Sequence, residues 1–119
     1  MQFDQPNILP ELRTLAAQGG FDQLDFGVIS FDAEDTVTQY NAFESNAAGL
    51  SQDQVIGKNF FIEVAPCMNN FMVSERFDEE ENLDETIDYV LTLKMRPTKV
   101  KLRLLRSAES EERFVLLKR

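Results

Sequence analysis

The most regular feature of the sequence is an alternation of apolar and polar residues near its end. Residues 86–95 place every second side chain on one apolar face, and residues 98–104 repeat the pattern. A period of two is that of a β-strand with one buried face. A further strand is predicted at 113–118, and a hairpin is predicted where 26–31 and 36–40 flank a polar turn. The pattern therefore predicts five strands, two early and three late.

Between these two groups of strands the sequence carries the signals of several short helices. Asn41, Ser51 and Asn59 each stand where a helical turn begins. Side chains of these types accept hydrogen bonds from the free N–H groups of a first turn. Glu44 lies three residues after Asn41, which is the spacing of a capping box. We therefore expect three short helical turns, followed by one longer helix over residues 71–80.

A further helix is predicted ahead of the first strand, because Pro10 suits the first position of a helix and a pair of glycines follows. The order of elements predicts an α+β fold, in which a five-stranded antiparallel sheet holds the short helices and the longer helix on one face. A chain of 119 residues can close one hydrophobic core. We expect a single domain over 1–119, with an N-terminal helical cap at 1–25 on the other face and a core at 26–119.

The composition excludes several classes of function. The chain has one cysteine, Cys67, and no histidine. An internal disulfide, a cysteine-rich zinc site, a histidine-ligated haem and histidine-activated nucleophiles are therefore excluded. No apolar run approaches the roughly 20 residues that span a bilayer, and the first residues lack the basic start of a signal peptide. We expect a cytoplasmic protein with no membrane partner.

The net charge of −9 is divided unevenly along the chain. Residues 94–119 sum to +6, whereas residues 1–93 sum to −15. Because most of the chain is acidic, nucleic acid is not an expected partner. The basic residues of 98–104 alternate with the apolar ones and so face away from the core. We expect the acidic N-terminal segment to pack over this outer face, with Leu12 and Leu15 in apolar contact. The basic side chains of that row are Lys99, Lys101 and Arg103.

The single cysteine stands at the end of a segment, residues 55–67, in which the backbone direction is strongly constrained. Gly57 ends one helical turn, Asn59 caps the next, and Pro66 stops it. A lone thiol at such a point has two interpretations. It is a small buried hydrophobe, as free cysteines usually are, or it is an attachment point.

Six segments of the chain, taken together, carry a family pattern: 26–29, 39–42 with Glu44, 54–61, 64–67, 95–101 and 114–119. They resemble the PAS fold and, within it, the photoactive yellow protein family. The resemblance covers roughly the last four-fifths of the chain. It implies a blue-light photoreceptor that uses p-coumaric acid (4-hydroxycinnamic acid) as its chromophore.

The resemblance also implies a role for individual residues. Cys67 carries the chromophore as a thioester, and its backbone N–H binds the chromophore's carbonyl oxygen. Tyr40 and Glu44 donate hydrogen bonds to the phenolate oxygen. Met95 lies over the pocket and assists the return to the ground state. Light isomerises the chromophore from trans to cis, a proton passes from Glu44 to it, and a conformational signal follows.

The chain departs from the family pattern at two positions near the chromophore. Ala48 stands where a hydroxyl is frequent, and Leu50 stands where a basic residue commonly covers the chromophore. These departures bear on colour and cycle rate rather than on attachment. The residues also have structural interpretations, since Glu44 can complete a capping box and Met95 can be core packing.

Three functions stay open from the sequence. The first is the photoreceptor, which turns over no substrate and signals as a monomer or weak dimer to an unknown downstream protein. The second is a PAS module that binds another small molecule or a protein partner and leaves Cys67 unmodified. The third, an enzyme with Cys67 as nucleophile, lacks a histidine to activate the thiol.

Overall fold

A computed structural model describes residues 1–92 and 96–119 of the chain. Within them, five strands form one antiparallel sheet in the spatial order β2-β1-β5-β4-β3. The last strand of the chain therefore lies at the centre and joins the early hairpin to the late one, as an α+β fold with hairpins at both ends requires. The strands are β1 Gly27–Phe31, β2 Val37–Tyr40, β3 Leu83–Leu91, β4 Thr98–Arg106 and β5 Arg113–Lys118.

The third strand begins three residues earlier than the sequence pattern predicts. Leu83 is buried and pairs with Arg106, the last residue of β4. This pairing extends the ladder beyond the alternating stretch that the sequence marks. Leu91 ends the strand, and the predicted strand residues 93–95 lie outside the described residues.

Short helical segments connect the two hairpins. They carry the predicted N-caps: Asn41 accepts a hydrogen bond from the backbone N–H of Glu44 at 3.1 Å, and Asn59 accepts one from Ile62 at 3.0 Å. Ser51 forms a full capping box with Gln54. The connecting segments are α2 Ala42–Ala48, α3 Gln52–Val55, a π-helical turn Phe60–Val64, a 3-10 turn Pro66–Met68 and α4 Ser74–Glu79. Two further segments precede β1, namely α1 Leu9–Ala17 and a 3-10 turn Gly20–Gln23.

The predicted longer helix at 71–80 is reduced to the six residues of α4. The side-chain oxygen of Asn70 accepts hydrogen bonds from the backbone N–H groups of Met72 at 2.9 Å and Val73 at 3.2 Å. Such local bonds stabilise a turn in competition with a helix. The helix therefore begins only at Ser74.

The sheet separates two hydrophobic clusters. On the inner face, residues such as Leu104 and Val115 pack against the helical segments, where Phe31 stacks on Phe60 with ring centroids 5.0 Å apart. On the outer face, the neighbouring pair Leu105 and Phe114 packs against the N-terminal segment. The predicted N-terminal cap on the second face is confirmed. Its buried apolar residues are Phe3, Ile8, Leu12 and Phe21, with Leu15 partly buried.

Charge pairing between the cap and the sheet differs from the prediction. Arg103 is 5% exposed rather than solvated, and it forms two hydrogen bonds of 2.8 Å with the carboxylate of Asp84 on the neighbouring strand. The same guanidinium donates to the backbone carbonyls of Phe3 at 3.0 Å and Gln5 at 2.7 Å. The cap is thus bound to Arg103 through backbone oxygens and not through acidic side chains.

Replacing Arg103 by methionine is expected to destabilise the fold by about 2–3 kcal/mol, because four hydrogen bonds to a charged donor are lost and one buried and one partly buried carbonyl lose their partner. Urea unfolding measures the change. Lys101→Met is the matched control, since Lys101 lies on the same strand and its ion pair with Asp88, at 3.1 Å, is exposed. The control should change stability by less than about 1 kcal/mol. Equal losses in both variants would contradict a specific role for Arg103.

Candidate functional site

Cys67 lies in the 3-10 turn Pro66–Met68, where its side chain is half-buried and packs against the inner cluster. Side chains from two other elements hold the backbone of this turn. The Tyr89 hydroxyl and the Asn70 amide, the latter at 3.0 Å, both donate to the Cys67 carbonyl oxygen. The Asn70 amide also contacts the Tyr89 hydroxyl at 2.7 Å. The position of the thiol is therefore fixed from the third strand as well as from its own turn.

Glu44 is the most deeply buried carboxyl group among the described residues, with 3% of its surface exposed. It lies in α2, directly after the β2 strand. Its Oε2 accepts a hydrogen bond from the Arg119 guanidinium at 2.6 Å. Its Oε1 is buried and has no hydrogen-bond partner among the described residues. Burial raises the pKa of Glu44, whereas the positive charge and hydrogen bond of Arg119 act to lower it.

The capping-box interpretation of Glu44 is only half fulfilled. The backbone N–H of Glu44 does bond to the Asn41 side chain, but the backbone N–H of Asn41 donates to the Val28 carbonyl at 3.1 Å. The carboxyl group of Glu44 is directed to Arg119 instead. A structural role as the second half of the cap therefore does not account for this side chain.

Tyr40 ends the β2 strand and is 3% exposed. Burial, and then the nearby charge of Glu44, raise the pKa of its phenol, so the hydroxyl keeps its proton at neutral pH. Its backbone carbonyl accepts a hydrogen bond from Gln52 at 2.8 Å. Tyr40 belongs to the inner cluster and Cys67 packs against it, so both predicted residues lie on the inner side of the sheet.

Asn41 connects this region to the N-terminal cap. The residue is 1% exposed, and its side-chain oxygen accepts from the backbone N–H groups of Val28 at 3.0 Å and Glu44 at 3.1 Å. Its amide donates to the carbonyls of Phe21 at 3.0 Å and Phe26 at 2.9 Å. One buried side chain thus links α2 to the segment that precedes β1.

Three residues at the site were not predicted from the sequence. Asn70 and Tyr89 hold the cysteine turn, and Arg119 binds Glu44. For Tyr89 the sequence does hold an indication of such a contact: a tyrosine on the buried face of a strand needs a polar partner for its hydroxyl. Met95, which was predicted to lie over the pocket, falls outside the described residues.

The close contact between Glu44 and β1 depends on Gly27. A Cβ atom at this position would lie 2.3 Å from Glu44 Oε1 and 3.2 Å from its carboxyl carbon. We expect Gly27→Ala to displace the carboxyl group and to destabilise the fold by about 1–3 kcal/mol, as overpacking does. Urea unfolding of the Gly27→Ala, Glu44→Ala and double variants forms the test. Strict additivity of the two substitutions would contradict a clash between them.

Within residues 1–92 and 96–119, no helix has the length and apolar character that crossing a membrane requires. The same residues contain no cluster of three or more histidine, cysteine or acidic side chains that could hold a metal ion.

The chain matches known proteins over most of its length. The model of the PAS fold matches residues 17–117. The photoactive yellow protein of Halochromatium salexigens is 36% identical over 100% of this chain and 97% of its own length. That of Rhodothalassium salexigens is 38% identical over 82% of this chain and 81% of its own.

The fold of this chain is also similar to that of a solved structure. The photoactive yellow protein domain of the sensor histidine kinase Ppr from Rhodospirillum centenum superimposes with a TM-score of 0.80 and 31% identity. The superposition covers 90% of this chain and 99% of that domain. The sequence matches and this superposition show that the chain has a PAS fold and belongs to the photoactive yellow protein family.

Proposed function

We propose that the protein is a blue-light photoreceptor that carries p-coumaric acid as a thioester on Cys67. The observation that carries this proposal is the family relationship across the whole chain, together with the position of its one cysteine. Cys67 is half-buried, packs against the inner cluster and lies in a turn fixed by Asn70 and Tyr89. A nucleophile held in this way suits covalent attachment of a flat aromatic acid.

The residues of the site fit such a chromophore. A phenolate oxygen within the core needs hydrogen-bond donors, because burial of an unpaired anion is costly. Glu44 Oε1 is a buried polar atom without a partner among the described residues, and the Tyr40 hydroxyl keeps its proton because its pKa is raised. Both groups can donate to an anionic oxygen, and such charge-assisted bonds are strong.

The chromophore, when bound, supplies absorption of visible light and a trans-to-cis isomerisation. The residues of the protein bind the two ends of the chromophore and supply the proton. Tyr40 and protonated Glu44 hold the phenolate end, and the backbone N–H of Cys67 holds the carbonyl end. Burial raises the pKa of Glu44 and so favours the protonated acid that can donate. Glu44 then gives up the proton at its carboxyl group after isomerisation.

The conformational signal follows from the connections of α2. Loss of the proton from Glu44 changes the charge of a side chain whose own backbone N–H bonds to Asn41. Asn41 in turn holds the carbonyls of Phe21 and Phe26. The N-terminal cap is therefore the element that we expect to loosen in light, and local opening of this kind is common at switch elements.

The remaining parts of the proposal concern partners and recovery. We propose that Met95 assists the thermal return of the chromophore. We also propose that the protein is cytoplasmic, acts as a monomer or weak dimer, turns over no substrate and signals to a downstream protein rather than to nucleic acid or a membrane.

The test is to load the purified protein with an activated ester of p-coumaric acid. We expect a yellow protein whose mass rises by one coumaroyl group, and whose visible band bleaches under blue light and returns in the dark. A protein that stays colourless, or a coloured protein that light does not bleach, would overturn the proposal. The first outcome would favour the alternative PAS module in which Cys67 is unmodified.

A further inference from the structure

Arg119 contacts the site from a part of the chain that no motif of the site includes. It follows β5 directly, and β5 lies beside β1 at the centre of the sheet. Because Gly27 pairs with Leu117 in that ladder, Arg119 lies close to the point where the Glu44 carboxyl group packs on Gly27. The resulting ion pair is 2.6 Å long, and its side chains are 23% and 3% exposed for Arg119 and Glu44.

The two oxygens of Glu44 have different surroundings. Oε2 accepts from Arg119, and Oε1 has no partner among the described residues. A guanidinium group only donates hydrogen bonds, so Oε2 must act as an acceptor whether or not the carboxyl group is protonated. In a neutral acid the carbonyl oxygen is the better acceptor, so the bond from Arg119 to Oε2 favours the proton on Oε1. Arg119 thereby decides which oxygen of the acid can donate to a ligand.

The contact with Arg119 also compensates the negative charge of the Glu44 carboxylate. An isolated carboxylate is strongly destabilised in a protein interior, and removing one partner of a buried pair leaves the other charge uncompensated. Leu50, which follows α2, is apolar and packs against the inner cluster, so it supplies no charge. Arg119 supplies a positive charge at Glu44 from a different element.

We propose that Arg119 is the counter-ion and positioning residue of Glu44: it directs the acidic proton to Oε1 and stabilises the carboxylate once that proton has left. The part concerning the lit state rests on the proposed photoreceptor function. In that state Glu44 would release the proton on Oε1 to the phenolate oxygen of a bound chromophore. Glu44 would then carry the negative charge in place of that oxygen, so the total charge of the group would stay the same.

Other polar groups around Glu44 do not replace Arg119 in this role. Tyr40 of β2 is neutral, and Gly27 of β1 has no side chain. Asp22, in the turn before β1, accepts from the backbone N–H of Ala42 at 2.8 Å at the start of α2, and it is negative. Among residues 1–92 and 96–119, Arg119 is the positive group that acts on the Glu44 carboxyl.

The first test needs no chromophore. The carbonyl stretch of the buried Glu44 acid, identified as the infrared band that disappears in Glu44→Gln, is titrated in the unloaded full chain. We expect its midpoint to rise by about one to three pH units in Arg119→Gln, because an adjacent opposite charge lowers a carboxyl pKa by that amount. Arg119→Lys should retain part of the difference. Lys118→Gln is the matched control, since it removes an exposed neighbouring positive charge, and its midpoint should stay near that of the parent.

The second test uses the loaded protein. Arg119→Gln should destabilise the proton-transferred state, so that its ratio to the state before proton transfer falls about tenfold for each pH unit of midpoint shift. Unchanged midpoints and unchanged kinetics in Arg119→Gln would overturn the proposal even if the protein is a photoreceptor. Failure to bind the chromophore would overturn the photoreceptor function instead, and the infrared titration would still decide the pairing of Arg119 with Glu44.

Discussion

Cys67→Ser is expected to give a folded protein that stays colourless after treatment with activated p-coumaric acid. Cys67 is the one cysteine of the chain, and a thiolate is a far stronger nucleophile toward an activated ester than a serine hydroxyl. Serine is close to cysteine in size, and the side chain is only half-buried. The free energy of unfolding should therefore change by about 1 kcal/mol or less. Visible absorbance measures the colour, intact mass measures attachment of the chromophore, and urea unfolding measures the free energy of unfolding.

Tyr89→Phe is the matched control for this substitution. It keeps the thiol but removes the hydroxyl that donates to the Cys67 carbonyl. We expect the control to take up the chromophore, since the nucleophile is intact, and to lose about 1 kcal/mol of stability from the missing hydrogen bond. A yellow Cys67→Ser protein with added mass would show that the chromophore is attached elsewhere.

The strands and caps were accessible from the sequence because their signals are local. Alternation over 98–104 and the spacing of Ser51 and Gln54 involve residues within one element, and the structure confirms both. The shortening of the helix at 71–80 is also local, but its cause is the competing turn at Asn70. Sequence periodicity does not distinguish an asparagine that caps a helix from one that delays it.

The charged contacts could not be predicted in the same way. Arg103 binds backbone oxygens about a hundred residues away, and Arg119 binds Glu44 across 75 positions of the chain. Both contacts depend on the strand order, which places β5 between β1 and β4. The sequence does show that the basic residues of 98–104 face outward. Burial of Arg103 follows only from the N-terminal segment that covers it.

The contacts of the candidate site are likewise of two kinds, short-range and long-range in sequence. Tyr40 and Glu44 are four residues apart at a strand-to-helix junction, so their proximity is a short-range property. The hydrogen bond that fixes the backbone of Cys67 comes from Tyr89 on β3, and this contact requires the folded sheet. The family resemblance indicated the first group and gave no information on Arg119, whose contact with Glu44 becomes visible only in three dimensions.

Glu44→Gln is expected to shift the visible band of the loaded protein to longer wavelength and to alter its recovery. Glutamine preserves the geometry, because its oxygen can accept from Arg119 in place of Oε2 while its amide takes the place of Oε1, the oxygen that we propose as the donor. The amide is a weaker donor to a phenolate than a carboxylic acid, by on the order of 1 kcal/mol, so it stabilises the anionic ground state less.

The amide also has no acidic proton. Proton transfer from residue 44 is then impossible, and we expect the bleached state of Glu44→Gln to take its proton from solvent, so that its formation depends on bulk pH where that of the parent does not. Steady-state spectra and flash photolysis across pH measure the two effects. Gln54→Glu is a control with the opposite exchange on α3: Gln54 is exposed, and a glutamate there can still accept from the Ser51 backbone N–H, so the dark spectrum should stay nearly unchanged. A dark spectrum of Glu44→Gln identical to that of the parent would show that this side chain does not donate to the chromophore.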